Sequence, residues 1–196
     1  MKRLALPVLL ALVSSGCSIV KRAYVRDDWA ATDAPKVKRL AVVVQPLPEG
    51  QAKAGEVFAR IARRYVNQKR DFLVKVERFA ATAPELDTLC GGDDAIEGVL
   101  WLHPDVKGVG DGFEASLKAS LVRCGDGREA WAAEANGSFD VKDAGLVEVT
   151  GVYVRELGPE AERYVPLAMN LLRPMLDTLP QPVLTEDDVT EKLGLD

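Results

Sequence analysis

Three thiols, Cys17, Cys90 and Cys124, and one imidazole, His103, are the most reactive side chains in this 196-residue chain. With a single histidine, any Ser-His-Asp or Cys-His catalytic arrangement has to pass through His103. That residue stands before Pro104 at the end of an apolar run, where a structural or solvent-facing ring is the ordinary role. Cys17 has a different context. Lys2-Arg3, an apolar run from Leu4 to Val13, and Ser14-Ser15-Gly16 precede it, which is the charged, apolar and small-residue order of an export signal. The apolar run is too short to span a bilayer as a helix. Residues 1–16 are therefore read as a cleaved signal, with Cys17 first in the mature chain. In the oxidising compartment that this implies, Cys90 and Cys124 form an even pair that invites a disulfide; two buried free thiols are the alternative. Neither CxxC spacing nor a histidine cluster is present to suggest a metal site.

Other candidates have plainer readings. Asp93, Asp94, Glu97, Asp105 and Asp111 carry oxygens of the kind calcium takes, but not at EF-hand spacing, so they read as charged loop residues. The glycines of GVGDG (108–112) are not followed by a helix N-terminus and lack the geometry of a phosphate loop. Arg60, Arg63, Arg64, Lys69 and Arg70 make the densest basic patch, suited to an acidic protein or polyanionic surface, with a solvated helix face as the alternative. No metal, catalytic group or cofactor is expected.

Positioning these residues requires a sheet with helices. Leu40 to Val44 is a continuous apolar, β-branched run stopped by Pro46 and Pro48, as in a strand buried on both faces. Val57, Phe58, Ile61, Ala62, Tyr65 and Val66 form a helical stripe, and Phe72 to Val76 supplies a second strand. Ala83-Pro84-Glu85-Leu86 begins a short helix, and Gly98 to Leu102 a third strand. From Phe113 to Cys124 apolar and polar residues alternate, Gly125-Asp126-Gly127 marks a hairpin turn, and Glu129 to Phe139 returns. Val147 to Val154 is expected as another strand. Pro159 to Leu179 is expected as a helix kinked or divided at Pro166 and Pro174. Thr185 with Glu186-Asp187-Asp188 reads as the cap of a last short helix. The fold class is thus α/β (α+β), a mixed sheet with helices packed on it, in the order β-α-β-α-β-β-β-(β)-α plus a short C-terminal helix. Trp101 and Trp131 are expected in the core.

Residues 17–36 lack a clean period and are read as a tether, including Trp29, with little reason to be buried. The domain is expected over 37–180, followed by a C-terminal extension, 181–196. Acidic residues outnumber basic ones, 30 to 25, and no stripe of Lys or Arg interleaved with aromatics follows residue 80, which disfavours nucleic acid as a partner.

The segment ending at Cys17 resembles the bacterial lipoprotein signal. That resemblance implies acylation of Cys17, a covalent lipid in place of any cofactor, and sorting by Ser18 to the outer membrane with the domain facing the periplasm. The order of "KRLAVVVQPLP", helix, "FLVKVERF", short helix, "IEGVLWL", and the meander with Trp131 resembles the periplasmic lipoproteins of the TolB N-terminal-like fold. These include the curli-secretion, Pel-type export and penicillin-binding-protein-activator lipoproteins, alongside uncharacterised lipoproteins. The resemblance implies a non-enzymatic scaffold or accessory factor in envelope assembly or export, with an envelope protein as partner and a homo-oligomer by edge pairing as a further option. A carrier of a small apolar or lipid ligand, held between the sheet and the 164–175 helix, is the alternative.

Overall fold

The computed structural model describes residues 19–79 and 83–195; Cys17, Ser18 and the signal lie outside the described residues. Six strands form one mixed sheet in the order β1-β6-β5-β4-β2-β3. They are β1 (Val20–Val25), β2 (Arg39–Val44), β3 (Leu73–Phe79), β4 (Gly98–Val109), β5 (Gly112–Arg123) and β6 (Glu129–Asp140). The helices are α1 (Trp29–Thr32), α2 (Ala52–Lys69), α3 (Ala83–Cys90), α4 (Val147–Leu157), α5 (Val165–Leu176) and α6 (Glu186–Lys192). None of the described helices is long and apolar enough to cross a membrane.

The mixed α/β architecture expected from the pattern is the one observed. β2 runs parallel to both β3 and β4. Leu40, Ala41, Val42, Val43 and Val44 are fully buried, because layers cover both sides of this strand. The β4–β5–β6 meander is antiparallel, and its apolar alternation puts Leu100, Leu102, Leu117, Leu121 and Trp131 on the face that packs against α2 and α5. Trp131 is completely buried, with its Nε1–H donating to Thr178 Oγ1 at 3.1 Å. Gly98 occurs where β4 passes under Val37 and Leu40. A Cβ built there would lie 2.8 Å from Val37 Cγ1. Gly98→Ala is expected to destabilise the domain by about 1–3 kcal/mol through overpacking, measurable by urea denaturation.

Three expectations are corrected. The tether is not one: Val20–Val25 pairs antiparallel with β6 as an edge strand, and Trp29 is buried, its ring against Phe72 and its Nε1–H donating to Gln181 O. Val183 N–H donates to Ala34 O, so the stretches before residue 37 and after residue 180 pack on each other and both belong to the domain. Val147–Val154 is helical rather than extended. Thr150, Tyr153 and Leu157 are the buried positions of α4, at helical spacing, and the preceding 3-10 turn buries Leu146 and is capped by Asp143, which accepts from Gly145 N–H. The valines that suggested a strand include Val147, which is largely exposed. Of the two expected breaks in the 159–179 segment, the one at Pro166 is seen as a 3-10 turn at Pro159–Ala161 followed by α5 with Pro166 in its first turn, whereas at Pro174 the helix is not divided and runs on to Leu176.

Candidate functional site

The second face of the sheet is covered over only part of its area. Near the start of β4, Ala41, Val43, Val76, Ile96 and Val99 form a small apolar cluster with Leu89, Cys90 and Cys124. Cys90 and Cys124 are joined as a disulfide, with Cα atoms 5.3 Å apart, which fixes the end of α3 to the end of β5. Beyond this cluster the outward residues of β1, β6, β5 and β4 lie on an open face.

Strand register orders that face into rows. Arg22 opposes Glu134, Glu134 opposes Lys118, and Lys118 opposes His103. Arg22 Nη2 donates to Glu134 Oε2 at 2.8 Å, and His103 Nδ1–H donates to Gln45 Oε1 at 2.6 Å, so the row ends on the loop after β2. The next row holds Tyr24, Ala132, Ser120 and Trp101. Small residues in the middle and aromatics at either end produce a trough. One depression of about 610 Å³ runs from Gln45 and His103 to Glu134, and another of about 690 Å³ continues from Glu134 to Arg22 and Tyr24. Tyr24 is 51% exposed. Trp101, expected in the core, is on this face, only half-buried, stacked on the His103 ring at 5.2 Å with its Nε1 unpartnered.

The side chains of these rows offer charge, hydrogen bonding and stacking to whatever meets the face. Burial, and after it the Lys118 charge, lowers the His103 pKa below its usual value, so the ring is neutral at pH 7 with Nε2 available as an acceptor. A histidine with a depressed pKa stabilises the fold above its unfolded pKa, near 6.5, and that contribution is lost as pH falls through the lower folded value. An NMR titration of the His103 ring should therefore give a midpoint below 6.5; a midpoint above it would show that Glu134, not Lys118 and burial, controls the ring. Gln45 is the hydrogen-bond partner of His103 among the described residues. The disulfide lies six residues back along the chain from His103, where Cys124 N–H donates to Glu97 O just before β4, roughly 20 Å away at strand spacing.

The remaining sequence candidates are not brought together. Glu97 accepts the backbone N–H groups of Lys38 and Arg39, Asp105 pairs with Lys107, and Asp111 lies in the β4–β5 turn. The GVGDG segment is that turn, with Gly110 at φ +55°. The arginine patch is compensated: Arg60 and Arg63 pair with Glu77, and Arg64 pairs with Glu156 at 2.8 Å while lying over the Tyr153 ring. Arg70 donates to Leu179 O, leaving Lys69 exposed. The basic surface expected of these five residues is thus largely neutralised by acids from β3 and α4. Conversely, Tyr24, Gln45, Lys118 and Glu134 were not site candidates in the sequence. For Lys118 and Glu134 the one available signal was the polar half of the β5 and β6 alternation, which has no meaning for a site until register places the strands side by side.

No family model matches the chain, and no curated protein matches its sequence. Among solved structures it is similar to the PelC dodecamer from Paraburkholderia phytofirmans, at 15% identity over 78% of this chain and 95% of that one, with a TM-score of 0.42. It is also similar to lipoprotein GNA1162 from Neisseria meningitidis (16% identity, 61% and 96% covered, TM-score 0.40). Uncharacterised lipoprotein B from Nitrosomonas europaea is a further likeness (11% identity, 74% and 86% covered, TM-score 0.29). At such identities and scores these likenesses assign no role to any residue.

Proposed function

We propose that this chain is a lipid-anchored envelope protein, acylated on Cys17 and sorted by Ser18 to the outer membrane. Its domain, of the TolB N-terminal-like kind, serves as a non-enzymatic module that binds another envelope protein in assembly or export. The observation that carries this reading is the open sheet face. A wide, shallow surface with alternating charges (Arg22, Glu134, Lys118) and two aromatics suits a folded protein partner better than a small molecule, which needs a deeper and more apolar enclosure. The carrier alternative loses its site, because Val165, Leu167, Leu171, Leu172 and Met175 of α5 are fully buried and fill the space against the sheet.

The test is site-specific photo-crosslinking of the acylated protein in intact envelopes, with the crosslinker at Ser120 on the open face and, separately, at Gln68 on α2. A recurrent envelope protein captured from Ser120 and not from Gln68 supports the reading, and a Cys17→Ala variant should lose it. Adducts between two copies of this chain would instead favour self-association, for which β1 is the relevant edge. That edge is short and carries Lys21 and Arg22, features that discourage strand addition. No adduct from Ser120 would refute the proposed face.

A further inference from the structure

The domain begins too close to Cys17 to stand clear of a membrane. Ile19 O accepts from Asn136 N–H at 3.0 Å, the Ile19 side chain packs on the core, and Val20 pairs with Ala135. The chain is therefore fixed to β6 from Ile19 onward. Two residues separate Ile19 from Cys17 in Cα steps, a reach of at most about 7 Å.

Because β1 is antiparallel to β6, the Ile19 end of β1 faces the end of the sheet toward which β6 runs on to Asp140. Asp140 pairs with Gly112, and Gly112 with Val109, so the β4–β5 hairpin tip lies at that end. From the level of Asn136 to that of Asp140 is four residues, about 14 Å at strand rise. Even a fully extended connection leaves the tip about 7 Å beyond the Cys17 backbone. That is comparable to the depth of one head-group layer, about 5–7 Å. Seating the tip requires the sheet to tilt less than about 30° toward its β1 edge, since the tip lies about 12 Å across the sheet from β1 at strand spacing.

We propose that the β4–β5 hairpin tip is a second membrane contact, seated among lipid head groups beside the acyl anchor; this rests on acylation of Cys17. The composition of the tip fits. Val109, the last residue of β4 beside the two-residue turn, is 52% exposed, and a Cβ built on Gly108 or Gly110 would meet nothing. Lys107, with a side chain 69% exposed, pairs with Asp105 at 3.4 Å, an exposed ion pair weak enough for the ammonium to exchange onto a lipid phosphate. Asp111 in the turn and Asp140 beside it would be repelled by a purely anionic surface. The partner is accordingly a leaflet rich in zwitterionic head groups, whose ammonium groups can face these carboxylates.

The experiment uses full-length acylated protein, its acyl mass confirmed, in vesicles of phosphatidylethanolamine and phosphatidylglycerol at 3:1. An environment-sensitive fluorophore is placed by Val109→Cys and, as a control at the opposite end, by Arg128→Cys; the native Cys90–Cys124 bridge leaves the introduced thiol free to label. The expected result is blue-shifted emission from position 109, quenched at least twofold by head-group spin-labelled lipid, with position 128 water-like. Inserting ten Gly/Ser residues between Ser18 and Ile19 should remove at least half of that quenching while the protein stays membrane-bound. Water-like emission at 109 in acylated protein, or quenching unchanged by the insertion, overturns the proposal and leaves the function reading standing. A chain found without acyl groups overturns both.

Discussion

Asp188→Asn is expected to lower stability by about 3–5 kcal/mol, because one buried carboxylate holds two cations and a helix start together. Lys38 Nζ donates to Asp188 Oδ2 at 2.6 Å and Arg39 Nη2 to Oδ1 at 2.8 Å. The same Oδ2 accepts from the backbone N–H of Thr185, whose hydroxyl accepts from Asp188 N–H, closing a capping box. The Asp188 and Lys38 side chains are only 4% and 11% exposed, so the substitution strands an ammonium away from water. Asp188 is also the only residue of α6 buried among the described residues. The helix is therefore attached by charge, with Glu191 on Arg39 and Lys75 as the outer part of the network. Urea denaturation gives the loss. Lys38→Met combined with Asp188→Leu should cost less than the sum of the single changes, since no unpaired charge remains.

The pH dependence of this attachment has a definite sign. The hydrogen bond from Lys38, then those from Thr185, hold the Asp188 carboxyl well below the usual carboxylate range; those from Arg39 and Lys75 lower Glu191 in the same direction. A carboxylate depressed on folding stabilises the native state above its unfolded pKa, about 4. That contribution is lost as pH falls through the lower folded value. Amide exchange in α6 should accelerate below about pH 4, ahead of exchange in β2 and β4. Uniform loss of protection across the domain would refute a locally released helix.

Removing the disulfide, by reduction or by Cys90→Ala with Cys124→Ala, should cost about 4 kcal/mol in the chain-entropy model for cysteines 34 residues apart. For a domain of this size that is a fall in Tm of roughly 10 °C. The loss should centre on α3, whose end the bridge ties to β5 beside Ile96 and Val99. The His103 ring, further along β4, should keep its titration midpoint in the reduced protein. A shift there would mean that the bridge also supports the open face. Thermal unfolding followed by circular dichroism, with and without reductant, measures the first effect.

Much of the frame was legible before any coordinates. The apolar run of β2, the period-two alternation of β5, the stripe of α2 and the Thr185 cap are local signals, each set by which side chains must leave water or which backbone groups need a partner. Cys90 and Cys124 were identifiable as a pair because the export signal expected at residues 1–16 implies an oxidising compartment and leaves two thiols to account for.

What escaped was everything decided between distant residues. β1 has no apolar period because five of its six residues are exposed; it is a strand only because β6 offers backbone partners, and side-chain pattern is blind to that. Arg60 and Arg64 looked like a free basic face until Glu77 and Glu156, 17 and 92 residues further on, came to lie against them. The row Arg22–Glu134–Lys118–His103 joins three strands and the edge, and its members are neighbours through register alone. The sequence by itself determined most of the buried segments, with Trp29 and Trp101 as exceptions, since transfer from water acts on each side chain where it stands. Only the tertiary structure decided which wet residues meet, because charge and hydrogen bonding depend on distances that the chain sets when it closes.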